Sequence, residues 1–515
     1  MVHDTIVIGG GIAGVRASLG CCEMGMSVCT IERDSRWGGR IRSIHRDGEV
    51  YDAGAGRFHA SHRRVMLLIR RYKIETVSLE NRPRQYRSVR CSQEAVKSPA
   101  YELIHRIVDG SKGYSASFLR GITFGEFAEM VVGMAGRQLA QAAFGYDGEF
   151  DVINAYDGLR MFQHDFASTE AFYTCKDGLG AIVGALVKDL EKHKNWTGVL
   201  EHRVANIQHT DGVYTVIAVG SDGKKTTYKG RSLVLAIPRQ ALLDLGMWNA
   251  EQLAMINAVE GVPCTRIYAR YKTPWFHGLP ITTTDIPIRQ FIPISERLAM
   301  VSYSDSLRAK EWGITAGQGT EMLEKRVHRG LRELFPERRI QRKPDWIEAY
   351  YWDNAIHMWR PGVNSGMIGK RLTSGGLGTQ LYVCGEAYSR RQCWIEGALQ
   401  TAEDVLKQLA KDIRGGADWR GWVRENTNSK GEMPRGKLKE LLQLYPDAKW
   451  VLFKNRLIDL TEWYYNHPGG QTPYDNHMHK NVYPFFRHVS NHYDGSNIKS
   501  HVMKKIEGLT ISVIR

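Results

Sequence analysis

The feature that most constrains this chain lies at its start, where residues 4–34 read DTIVIGGGIAGVRASLGCCEMGMSVCTIERD. Residues 5–8 form a short apolar run suited to a buried strand. Gly9, Gly11 and Gly14 follow with GxGxxG spacing, then a helical stretch over 12–24 and a second apolar strand over 27–31 that ends in Glu32. Gly9 permits the tight turn, Gly11 lets a pyrophosphate approach the backbone, and Gly14 lets the helix lie close to the strand. The helix N-terminus then offers unpaired amides to phosphate charge. Glu32, at the end of the second strand, is placed to accept from ribose hydroxyls. Glycine-rich turns are common by themselves. Strand, glycines, helix, strand and acid in this order favour a dinucleotide site on a parallel sheet over a plain βαβ unit.

A chain of 515 residues exceeds one ordinary domain, so two or three are expected. Its formal charge of +15 suits anionic ligands or solubility, but no RNA-binding motif, zinc finger or basic low-complexity tail accompanies it, so nucleic acid is not an expected partner. The eight cysteines contain no CxxC pair, which points to reduced thiols in an intracellular, cytoplasmic protein. The first residues run straight into the strand and the glycine loop, which argues against a secretory signal. The most apolar helical stretch, 122–144, carries Glu126, Glu129 and Arg137 and makes a poor membrane span.

Residues 34–72 read DSRWGGRIRSIHRDGEVYDAGAGRFHASHRRVMLLIRRY, and here the chain resembles the flavin amine oxidase family, which includes monoamine, polyamine and L-amino-acid oxidases. Gly38-Gly39-Arg40 matches the family's second flavin motif, which implies Arg40 at the pyrophosphate with Gly39 beside it and Arg33 next to Glu32 in the cofactor-binding set. The segment 52–56, DAGAG, matches the loop that passes the flavin ring and includes Gly56. EHRVANI, 201–207, is similar to the strand whose Val204 backbone meets the adenine. Residues 232–245, SLVLAIPRQALLDL, resemble the strand and proline turn that return the chain to the flavin domain. LYVCGEAYSRRQCWIEGALQTAEDVL, 381–406, resembles the closing motif, with Gly385 and Glu386 at the ribityl and pyrophosphate and the helix start around Ile395 and Ala398 aimed at the flavin N1–O2 edge. The resemblance covers roughly residues 1–410.

The same resemblance speaks to substrate. Arg57 stands where the L-amino-acid oxidase branch binds a carboxylate, and a guanidinium fork matches a carboxylate as no other side chain does. The alternative is a structural arginine. Trp394 stands where the family places an aromatic over the flavin face. A second wall is expected from YYWDNAIHMWRPG, 350–362, in which Trp352 fits the family's tryptophan and either His357 or Trp359 faces the flavin. No cysteine occurs in that loop, so the resemblance implies non-covalent FAD. In TRIYARYKTPWF, 265–276, Arg266 replaces the lysine that the family uses at flavin N5. Arginine does not pass protons, which leaves a dehydrogenase open beside an oxidase.

The texture changes after about residue 409. The polar, glycine-rich stretch 411–444 reads as a linker with a short helix at 438–444. WVLFKNRLIDLTEWYYNHPGG, 450–470, then resembles the first half of a cytochrome b5 domain: strand, turn, strand, helix and His-Pro-Gly-Gly. That resemblance implies haem b held by His467, with His492 as second ligand; His488 is the other candidate. A zinc site built from His477, His479, His488 and His492 lacks any cysteine and any standard spacing.

The expected architecture is α/β. A Rossmann-type FAD-binding domain (1–72, 173–245 and 371–410) is interleaved with an α+β substrate domain (73–172 and 246–370), followed by the linker 411–444 and a small α+β cytochrome b5-like domain, 445–515. The expected activity is oxidation of an amine or L-amino acid to the imine by hydride transfer to flavin N5, with electrons passing to oxygen, to the haem or to an acceptor protein. The rival is a binding or structural protein that kept the folds without turnover.

Overall fold

The computed structural model describes residues 1–79, 83–91, 94–165, 172–413, 423–444, 450–460, 480, 493–494, 497–498, 506–507 and 510–514. The chain forms two compact units, Met1–Gln408 and Leu409–Arg515.

The first unit is built on two sheets of seven strands each. In one, the order is Trp196–Val199, Val28–Ile31, Val2–Ile8, Lys225–Leu235, Val213–Gly220 and His202–Thr210, with Leu381–Val383 also paired to Lys225–Leu235. The strands from Trp196–Val199 to Lys225–Leu235, and Leu381–Val383, run parallel. They are continuously apolar because both faces are covered: Ile6, Val7, Ile8, Val28, Ile31, Leu233, Leu235 and Val383 are all buried. Register places Ile8 beside both Ile31 and Leu235, and Leu235 beside Val383. The residues that leave these strand ends, Gly9, Glu32, Ala236 and Gly385, therefore emerge at one edge of the sheet. That carboxyl-end edge is where open α/β sheets bind ligands.

The second sheet runs Trp346–Trp359, Val259–Arg270, Leu298–Asp305, Gln290–Pro293, Ile281–Thr284, Arg84–Arg87 and Val96–Lys97. Its pairs are antiparallel except Ile281–Thr284 with Arg84–Arg87. Helices Ser306–Gly317 and Thr320–Leu334 bury Trp312, Leu323, Val327 and Leu331 against it in one apolar cluster. A second cluster joins helices Ala100–Asp109, Phe124–Phe144 and Ala155–Asp165 around Phe124, Phe127, Phe150 and Phe162. Helix Phe124–Phe144 opens with a capping box between Thr123 and Glu126, as its sequence allows. It is not continuous, however: Gly133 takes φ 73° and ψ 169° and breaks it. No helix among the described residues is long and apolar enough to cross a membrane.

The second unit has a four-stranded sheet ordered Glu432–Met433, Thr510–Ile514, Arg456–Asp459 and Trp450–Phe453. Trp450–Phe453 and Arg456–Asp459 form a hairpin whose turn places Lys454 at φ 56°. Its core contains Val423, Met433, Leu441, Trp450, Leu457 and Ile514. Part of the stretch expected as a linker is thus packed. Its apolar residues are isolated in sequence and show no period, and they become a core only when strands from 450–460 and 510–514 meet them. His467 and His492, like His477, His479 and His488, lie outside the described residues.

Candidate cofactor and substrate site

At the glycine turn, Gly9 has φ 103°, and a Cβ there would come 2.5 Å from the Ala236 carbonyl oxygen. A Cβ at Gly14 would fall 1.9 Å from the Gly9 oxygen, so helix Ile12–Glu23 can approach the strand only through glycine. Gly11 is different. A Cβ there would meet no atom within 4 Å, so the fold itself does not require glycine at this helix N-cap, whereas a ligand lying against the backbone would. Gly39 crosses beside it, with its Cβ position 3.3 Å from the Gly11 Cα. Glu32 is buried, and each of its oxygens takes one backbone amide: Gly10 N at 2.5 Å and Asp34 N at 2.9 Å. Each oxygen retains capacity for a hydroxyl donor. The strand carrying Val204 is tied to this point, since His202 N donates to Glu32 O at 2.9 Å. Arg33 points outward beside Asp34, 66% exposed. It is Arg36, which the sequence reading passed over, that holds the loop, donating to Gly39 O at 2.6 Å and Ile41 O at 2.9 Å.

Glu386 organises the middle of the site. One oxygen accepts from Arg40 Nη1 at 2.8 Å and faces His357 Nδ1 at 3.1 Å; the other accepts from His357 N and Cys393 N, each at 2.9 Å. Burial would raise its pKa, but Arg40 and His357 outweigh that and hold it at about 2. Both oxygens therefore meet protein donors, and Glu386 ties together three chain segments. Arg40 also donates to Ala355 O at 2.8 Å through the same Nη1. Burial, against the pull of Glu386, keeps His357 below its ordinary pKa. Its Nε2 is buried with no hydrogen-bond partner among the described residues, and a sugar hydroxyl is the chemistry that would satisfy it. Gly385 has φ 138° and is fixed by Thr401 Oγ1, which bonds its amide at 2.8 Å and its carbonyl at 3.0 Å. Trp359 belongs to the apolar cluster of the first sheet, with its indole N–H donating to Ser389 O at 3.0 Å.

The loop 52–56 is pinned from several sides. Asp52 O accepts from Arg266 Nη1 at 3.0 Å and from Tyr268 Oη at 2.7 Å, and Trp352 Nε1 donates to Ala53 O at 2.8 Å. A Cβ on Gly56 would lie 2.8 Å from Arg266 Nη1, so the loop and the arginine pack in direct contact. Arg266 Nη2 donates to Tyr303 Oη at 3.2 Å, and its Cζ lies 4.5 Å from the centre of that ring. Tyr146 meets Tyr303 edge to face at 5.2 Å.

Arg57 follows this loop directly. Its Cζ lies 4.8 Å from the Phe172 ring centre and 6.0 Å from that of Trp394, and the two rings stack at 5.8 Å. His62 packs edge-on to Trp394 at 4.8 Å. Behind them Glu396 caps helix Arg63–Tyr72 by accepting from Arg64 N and Val65 N, and it pairs with Arg64 Nη1 at 3.0 Å. Arg40, Arg64 and Arg266 are each bonded to protein oxygens, whereas Arg57 rests on aromatic faces, with no ion pair or hydrogen bond among the described residues.

The structure therefore brings Arg57, Arg266 and Trp394 together with three residues that sequence reasoning missed: Tyr146, Phe172 and Tyr303. The buried starts of Ile395 and Ala398 open the helix Ile395–Ile413 beside Trp394. The glycine cradle at Gly11, the spare capacity of Glu32 and the unpaired His357 Nε2 fit a dinucleotide with sugar hydroxyls. Residues 19–406 match the family model for flavin containing amine oxidoreductase, a span of well over half the chain.

Proposed function

Since the chain belongs to the flavin-containing amine oxidoreductase family, and so is a flavin-dependent oxidase or dehydrogenase that uses FAD, we propose that its substrate is a small L-amino acid. Bound FAD would supply the acceptor for the two electrons leaving the carbon that bears the amine. Gly9, Gly11, Gly14, Gly39 and Glu32 would hold the nucleotide half, and Arg40, His357 and Gly385 the middle. The observation that carries the substrate class is Arg57, whose half-buried guanidinium lies over Phe172 and Trp394 with no ion pair among the described residues. A substrate carboxylate is the bidentate partner that a guanidinium in such a setting lacks. The test is Arg57→Lys. KM for amino acids should rise at least about tenfold, since a charge-assisted hydrogen bond contributes about 1.5–3 kcal/mol, while simple amines stay nearly unaffected. Equal losses for both substrate types would make Arg57 structural. Failure of an amino-acid panel to reduce the FAD anaerobically would favour a protein without turnover.

The acceptor of the electrons is a second part of the proposal. Arg266 is fixed on Asp52 O and Tyr303 Oη and keeps its proton, which favours slow reaction with oxygen and delivery to another acceptor. Residues 445–515 would supply that acceptor as a cytochrome b5-like module holding haem b between His467 and His492, since bis-histidine ligation suits electron transfer. The hairpin Trp450–Phe453/Arg456–Asp459 ahead of His-Pro-Gly-Gly supports this reading. An absorption spectrum of the full chain tests it: low-spin haem bands that His467→Ala removes are expected, and a spectrum of flavin alone would refute the haem.

A further inference from the structure

In the substrate half of the first unit lies a buried carboxyl group with no protein partner for one of its oxygens among the described residues. Glu149 sits in the short helix Gly148–Asp151 and is 93% buried, its exposure being 7%. Its Oε2 has no hydrogen-bond partner among the described residues. Leaving a buried acceptor unmade costs about 1–3 kcal/mol, more for a charged group, so such an atom calls for an explanation.

The neighbouring acids differ from it. Asp305, at the end of strand Leu298–Asp305, accepts from Asp147 N at 2.9 Å and Gly148 N at 2.7 Å. Asp147 accepts from Arg289 Nη2 at 2.9 Å and Gln141 Nε2 at 3.1 Å, and it also pairs with Arg308. The cations on that side are thus engaged by Asp147. The charged group that favours the ionised form of Glu149 is Arg57, yet no ion pair joins the two among the described residues. The thiol of Cys264, in strand Val259–Arg270, also senses both Glu149 and Asp305. The segment that carries Glu149 reaches the Arg57 side through Tyr146, whose ring meets Tyr303 at 5.2 Å; Tyr303 bonds Arg266, and Arg266 packs on Gly56, the residue before Arg57. A zwitterion bound there offers its anionic end to Arg57 and its cationic end to Glu149.

We propose that Glu149 receives the ammonium group of the amino acid whose carboxylate Arg57 holds, and takes one of its protons before oxidation. An N–H bond of the ammonium breaks, an O–H bond forms on Glu149 Oε2, and the amine keeps the electron pair that oxidation needs. No oxidant enters this step. Burial, reinforced by Asp305 and Asp147, moves the Glu149 carboxyl well above the ordinary carboxylate range, against its own backbone amide and Arg57. That brings acid and amine closer in proton affinity, the condition under which general base transfer is most effective. The inference rests on the amino-acid reading of Arg57.

The experiment uses the full-length protein with FAD bound. Anaerobic reduction by an amino acid is followed by stopped flow across pH 6–10, and the affinity for the matching carboxylic acid without an amine is measured by the shift in flavin absorbance. Glu149→Gln should keep that affinity within about twofold and slow reduction about 100-fold near neutral pH, the lower end of what a positioned base contributes. The loss should shrink as pH rises and the amino acid arrives already deprotonated. A rate and pH profile like those of the unmutated protein would overturn the proposal, and so would a loss that is equal at every pH. If Glu149→Gln fails to hold FAD, Glu149→Asp decides: a retained but shifted pH limb supports the base, and a vanished limb overturns it. Arg57→Lys separates the two readings. If it leaves affinity for the carboxylic acid intact, the carboxylate clamp is wrong, whatever Glu149 does.

Discussion

Replacing Glu386 by alanine should be among the most damaging single changes near the cofactor crevice. Its carboxylate is 7% exposed and meets donors from Arg40, His357 and Cys393. Holding a carboxyl at about 2 instead of an ordinary 4.5 corresponds to about 3 kcal/mol of folding stability, at about 1.4 kcal/mol per pH unit. Removing one member of a buried pair costs about 3–5 kcal/mol by an independent route, so the two agree in scale. The folded-state pKa is depressed, so this stability is fully present above the unfolded value near 4.5 and is lost as pH falls toward 2. By pH 3 about 2 kcal/mol of it should be gone. The assay is urea unfolding of the FAD-free protein, followed by tryptophan fluorescence at pH 7 and pH 3. The unmutated protein should exceed Glu386→Ala by about 3 kcal/mol at pH 7 and by far less at pH 3. FAD occupancy of the variant should also fall, because the loops ending at Arg40 and Trp394 lose their common tie. A difference that is small at pH 7, or unchanged at pH 3, would refute the account.

Other substitutions probe separate contacts. Gly11→Ala should leave thermal stability nearly unchanged while lowering FAD affinity, whereas Gly14→Ala should lower melting even without FAD, by about 1–3 kcal/mol from overpacking; parallel melting curves and flavin titrations check the pair. Arg266→Lys should speed reoxidation of the reduced protein by oxygen at least severalfold in stopped flow, and no change would separate this position from oxygen chemistry. Glu396→Gln should destabilise by about 1–2 kcal/mol through a weakened cap on helix Arg63–Tyr72, measured by urea unfolding at pH 7.

The opening unit was legible because each part of it is local. An apolar strand, a glycine turn and a helix follow one another within 31 residues, and the observed elements Val2–Ile8, Ile12–Glu23 and Val28–Ile31 lie within a few residues of those expected. Partners beyond the local chain were not legible. The sequence does not show that His357, Cys393 and Arg40 converge on Glu386. Nor does it show that Trp359, read as a possible aromatic wall, packs against Tyr388 and donates its indole N–H to Ser389 O. Glu149, in the stretch GEFD, carries no local signal of its burial. Only its burial beside Asp305 and Asp147 distinguishes it, and nothing in its neighbours along the chain reports that.

The tie between Arg40 and Glu386 spans 346 residues, and the strand Leu381–Val383 that leads into it completes the parallel sheet late in the chain. A growing polypeptide emerging at about 5–20 residues per second would spend roughly 20–70 s with its glycine turn formed but this clasp missing. During that interval the crevice lacks Gly385, Glu386 and the helix that follows them, so its full hold on a nucleotide waits for the first four hundred or so residues to leave the ribosome. Until then the strand Lys225–Leu235 stands without its last parallel neighbour. Cells that make this protein would have to shield that exposed edge, and flavin supply would act on the finished chain rather than on the nascent one.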